Sequence, residues 1–67
     1  MNNFETHPND SLLGTFRKFG DTGPVYQIRK LIRKLDNGDS LFEIEIPETG
    51  EQTPYPYSKI ISDPVVN

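Results

Sequence analysis

Few residues in this chain are of types that do chemistry. It contains no cysteine, so it has no thiol nucleophile, thiolate metal site or disulfide. The one imidazole is His7, beside Pro8 in a polar stretch with no second ligand and no serine placed to act as its nucleophile. It reads as a solvated bystander rather than a metal ligand or general base. A Ser-His or Cys-His triad therefore cannot be assembled. Glu43 and Glu45 stand two apart, a spacing compatible with paired acids. Alternating glutamates are also the ordinary solvent face of an antiparallel strand, and that reading is preferred. The expectation is a protein without catalytic activity, with no cofactor and no metal.

Residues that could bind a partner are more plentiful. Phe16-Arg17-Lys18-Phe19 interleaves rings with cations. A single-stranded nucleic-acid platform has this texture, with rings for stacking and cations for phosphate. So does a core strand with two exposed cations, which is preferred because so small a domain can spare few aromatics. Tyr55 and Tyr57, at period two, suit either a packed face or an amphipathic binding rim. Six basic residues (Arg17, Lys18, Arg29, Lys30, Arg33 and Lys34) stand against one acid, Asp21, between residues 14 and 35. Residues 36–67 hold seven acids and one base, Lys59. The halves can neutralise each other, or the basic half can meet an acidic partner. A net charge of −3 and a pI near 4.9 weigh against nucleic acid, whose binding domains are usually basic.

One hairpin has to position most of these groups. Val25–Leu35 and Leu41–Ile46 flank Asp36-Asn37-Gly38-Asp39, and Asn-Gly is the strongest short hairpin signal because both residues accept positive φ. Leu41-Phe42-Glu43-Ile44-Glu45-Ile46 alternates with the period of a half-buried strand. The first arm is contested. Val25, Ile28, Leu31, Ile32 and Leu35 also fit a helical stripe, and Pro24 suits a first helical turn. The strand reading is preferred because the apolar face of 41–46 needs a partner and this is the nearest run. An Asp36-Asn37-Gly38 loop with a bulge is expected to pair Ile32 with Ile44 and Arg33 with Glu43. That register would set Tyr26, Ile28 and Ile32 on the face of Phe42, Ile44 and Ile46, and Arg29, Leu31 and Arg33 opposite Glu43 and Glu45. Lys30 and Lys34 interrupt the inner face and predict a bend or an edge there.

The remaining segments follow from their punctuation. Residues 1–11 read as a flexible tail, 12–64 as a single β domain and 65–67 as a second tail. Leu12 and Leu13 are placed to dock the first tail onto the core. Gly14 and Gly20 bound a short strand, and Asp21–Pro24 is a turn without the spacing of a phosphate loop. Pro54 and Pro56 remove backbone donors and confine residues 52–57 to a sheet edge or polyproline II. Ser58 is expected to cap one helical turn over Lys59–Ser62, stopped by Asp63-Pro64. The fold expected is mainly β: a small antiparallel meander of about four strands, SH3-like or a half-barrel, with one short C-terminal helical turn. No apolar run is long enough to span a membrane, and residues 1–10 lack the pattern of a signal peptide, so a cytoplasmic address is expected.

The combination GTFRKFGDTGPVY, ETGEQ and YPYSKIISDP resembles a family of short bacterial proteins of unknown function. Its members share a GT-aromatic-R-x-F-G…GP-x-Y opening and a Y-x-Y-S-x-I-x-x-DP ending. The resemblance covers residues 14–64, with a departure at Pro54, and implies a compact β-rich fold with no assigned activity. Two functions are expected to compete. The first is a protein-interaction or regulatory module, antitoxin-like or an adaptor, binding another protein or itself as a homodimer. The second is a nucleic-acid-binding domain using the basic residues between 17 and 34.

Overall fold

A computed structural model describes residues 12–66. Expectations for His7 and the rest of residues 1–11 lie outside the described residues. The elements in chain order are β1 (Phe16–Lys18), β2 (Val25–Lys34), β3 (Ser40–Ile46), β4 (Glu51–Pro56), α1 (Tyr57–Ile60) and β5 (Val65–Val66). They build one open antiparallel sheet in the order β4-β3-β2-β1-β5. The architecture is mainly β with one short helix, as the sequence implies. Residues 25–34 are strand and not helix.

β1 to β4 form a meander in which each strand pairs with the next. The chain then crosses from the β4 edge to the opposite edge, where Val65 and Val66 pair with Arg17 and Phe16. This corrects the expected tail at 65–67: two β-branched residues following Pro64 add a fifth strand instead. The crossing segment carries α1 over one face of the sheet and buries Ile60 against it. The fully buried core is Tyr26, Ile28, Phe42, Ile44 and Ile60, with Leu12, Phe19, Ile46, Tyr55 and Tyr57 packed around it. Each large side chain removed from water contributes about 1.5–3 kcal/mol before entropic costs. Leu12 docks as expected, whereas Leu13 stays exposed.

The β2–β3 register differs from the expected one. The loop closes with the Leu35 N–H donating to the Asp39 carbonyl at 2.8 Å, which leaves the three residues Asp36, Asn37 and Gly38 outside the ladder. That loop sets Lys34 opposite Ser40 and Arg33 opposite Leu41, not Glu43. Two irregularities in β2, between Leu31 and Arg33 and between Ile28 and Lys30, then shift the pairing further. Leu31 comes to oppose Phe42, Lys30 opposes Glu43, and Ile28 rather than Ile32 opposes Ile44. Each bulge reverses the parity of the pairing, so two of them restore even-with-even at Ile28 and leave Ile32 outside the core. Ile32 is 42% exposed.

Both Pro54 and Pro56 lie in β4, the edge strand of the sheet, where a missing donor costs least. α1 begins two residues earlier than expected. Pro56 occupies its N-cap without a side-chain bond. A carboxylate 19 residues away does the capping: Asp39 Oδ1 accepts from the Ser58 N–H at 3.1 Å, and Asp39 Oδ2 accepts from the Ser58 hydroxyl at 2.7 Å. The hairpin turn is thereby clasped to the start of the helix.

Candidate interaction surface

Among the residues singled out as possible binders, several are committed to the fold. Arg17 shares a register position with Tyr26, and its guanidinium donates to the carbonyls of Ile60 at 3.2 Å and Asp63 at 3.0 Å. It thereby ties β1 to the turn after α1, where the Ile60 carbonyl also accepts from the Asp63 N–H at 3.0 Å. Phe19 turns inward and packs its ring 4.5 Å from Tyr26 and 5.2 Å from Tyr55, centroid to centroid. Tyr57 packs against Phe42. Phe16 instead stays more than a third exposed, so the two phenylalanines of the GTFRKFG run separate.

The centre of these contacts is a residue that sequence reading treated only as a helix stop. Asp63 Oδ2 accepts from the Tyr26 hydroxyl at 2.7 Å and the Tyr55 hydroxyl at 3.0 Å. Its Oδ1 accepts from the Gly20 N–H at 3.2 Å. One side chain therefore buckles the crossing segment to β2, to β4 and to the turn after β1. Burial, reinforced by the hydrogen bond to Asp63, pushes the ionisation of the Tyr26 phenol far above its ordinary value. The same causes raise Tyr55. The Ser58 hydroxyl, followed by the backbone N–H groups of Ser40 and Ser58, holds Asp39 below the usual carboxylate range. The signal for the buckle lay in the Y-x-Y-S-x-I-x-x-DP pattern, whose first tyrosine and aspartate are two of its members.

The basic residues of β2 are placed differently. β1 pairs with Val25–Gln27, and Gly14 and Thr15 extend that contact to Ile28. From Arg29 to Lys34, β2 pairs with β3 alone among the described residues, and all six side chains are exposed. Ion pairs join Arg29 to Glu45 at 3.5 Å and Lys30 to Glu43 at 3.7 Å. Arg29 also donates to the Gln27 side chain at 3.1 Å. Both pairs are solvated, so each is worth about 0–1 kcal/mol. Arg33, expected opposite Glu43, lies opposite Leu41, and no carboxylate of the described residues pairs with Arg33 or Lys34. Leu31 and Ile32, 41% and 42% exposed, sit between these cations. Ile32 also walls an open cleft of about 250 Å³ with Glu43, Gln52, Thr53 and Pro54.

The chain belongs to the family of unknown function DUF5397, whose model matches residues 3–67. No curated protein matches it. Among the described residues, no helix is long and apolar enough to cross a membrane, and no three His, Cys, Asp or Glu side chains group so as to hold a metal ion.

Proposed function

We propose that this protein is a small interaction module without catalytic activity, acting as a regulatory subunit or adaptor in the cytoplasm. The observation that carries this reading is the β2 arm. Six consecutive residues of β2 have exposed side chains, four cations and two branched apolar groups. A chain of 67 residues has little apolar surface to spare. Holding Leu31 and Ile32 outside the core costs stability, which fits a surface kept for a partner. Tyr55 and Tyr57 pack partly buried against the core, which favours the arm over the tyrosines as the candidate surface. The nucleic-acid reading draws on the same cations. It loses Arg17 to the Ile60 and Asp63 carbonyls and Phe19 to the tyrosine cluster.

The test compares the wild type with Arg33→Glu/Lys34→Glu. Both are immobilised and exposed to native-host lysate, with light scattering on each. A partner retained by the wild type and lost by the double variant supports the module. Identical capture by both proteins, or none by either from a strictly monomeric wild type, ends it.

A further inference from the structure

We propose that residues 29–34 accept an acidic, extended segment of another protein as an added strand, laid along the edge that β1 leaves open. This deepens the interaction-module reading and rests on it.

The edge exists because the two neighbours of β2 differ in length. β3 follows β2 to Lys34, whereas contact with β1 and the residues before it ends at Ile28. In an antiparallel ladder, alternate residues direct their N–H and C=O groups to opposite sides. Beyond Ile28 the two irregularities of β2 interrupt this alternation, and the groups that turn away from β3 meet no strand of the described residues. An extended peptide completes such an edge with main-chain hydrogen bonds, and the side chains flanking it set the choice of partner.

The side chains flanking this edge select against a second copy of this chain. Antiparallel self-pairing of Arg29-Lys30-Leu31-Ile32-Arg33-Lys34 sets Arg29 against Lys34 and Lys30 against Arg33, and like charges directly opposite destabilise. The other two edges of the sheet are poor complements. β4 lacks donors at Pro54 and Pro56, and β5 is two residues long. A segment alternating Glu or Asp with branched apolar residues fits both faces of this ladder: Lys30 and Arg33, opposite Glu43 and Leu41, line one face for its acids, and Leu31, opposite Phe42, lies on the other face for its apolar side chains. Arg33 and Lys34, without carboxylate partners among the described residues, would contribute most to the attraction.

The probe is a blocked, fluorescein-labelled hexapeptide alternating glutamate and valine, titrated into the full chain at low salt. Three control peptides accompany it. One replaces glutamate with lysine, and two carry N-methyl groups on the glutamates or on the valines. Expected are binding of the acidic peptide, no binding of the lysine peptide, and loss for at least one N-methylated peptide. Amide shifts on the protein should centre on 29–34, and Arg33→Glu/Lys34→Glu should weaken binding at least about tenfold through like-charge repulsion. Undiminished binding of both N-methylated peptides, relative to the unmethylated acidic peptide, overturns strand addition, because the main chain then contributes nothing. Failure of the acidic peptide to bind, or binding of single-stranded DNA to these residues in its place, overturns it as well. If a lysate partner nonetheless requires Arg33 and Lys34, the interaction module stands and only this mode of recognition falls.

Discussion

Asp63 joins more of the molecule than any other side chain described here. It receives the hydroxyls of Tyr26 and Tyr55 and the amide of Gly20. Tyr26 is fully buried, so its hydroxyl has no water to fall back on. Asp63→Ala should therefore cost about 2–3 kcal/mol, the penalty for leaving a buried donor unpaired and losing bonds to a carboxylate. In urea titrations Tyr26→Phe should cost less. The double variant should show a coupling of about 1 kcal/mol, because both changes remove the same bond. Strictly additive effects would show that the buckle does not hold the fold. The pH dependence follows from the same contact. The folded-state ionisation of Tyr26 is raised, so the folded chain keeps a proton that the unfolded chain releases above about pH 10. Fewer protons on the unfolded state give a negative slope of stability with pH. The stabilisation is complete below pH 10 and should fall above it by up to about 1.4 kcal/mol per pH unit for this group. Alkaline unfolding followed by circular dichroism should lose most of that slope in Tyr26→Phe.

At the scale of elements, the hairpin and the helix meet at Asp39. Its carboxylate holds the Ser58 N–H and hydroxyl and also accepts from the Ser40 N–H. Asp39→Asn should speed hydrogen exchange at the Ser58 amide while leaving the amides of Ile28 and Ile44 protected. Because Asp39 titrates below the usual carboxylate range, its contribution is present above about pH 4 and is lost as pH falls through its folded value. The turn beside it depends on Gly38, whose φ of 90° is a region that L side chains avoid. Gly38→Ala should destabilise the protein by about 1 kcal/mol in urea, with no change in the extent of the strands. The Asn-Gly signal was legible for this local reason. Lys30, which interrupts the inner face, marked one irregularity, between Ile28 and Lys30, whereas nothing in the pattern marked the second, between Leu31 and Arg33.

Seen whole, the molecule extends 41 Å along its longest axis, and its stability and its exposed arm are separable. The core sits under α1, whereas Arg33 and Lys34 are solvated and make no ion pair among the described residues. Arg33→Glu/Lys34→Glu should therefore change the unfolding free energy by no more than about 0.5 kcal/mol. A larger loss would mean that the arm belongs to the fold and is not held in reserve for a partner.

The sequence alone determined what depends on near neighbours. The alternation in 41–46 placed Phe42 and Ile44 inside, Asn37-Gly38 placed the turn, and the prolines of β4 kept it out of the sheet interior, at an edge or in polyproline II. These follow from strand period, backbone angles and a missing donor, each read within a few residues. Only the tertiary structure decided the register of β2, the addition of β5, and the meeting of Tyr26, Tyr55 and Asp63 across 37 positions of chain. Those outcomes depend on where a crossing segment lands and which polar groups it must satisfy there, and no local pattern carries that information.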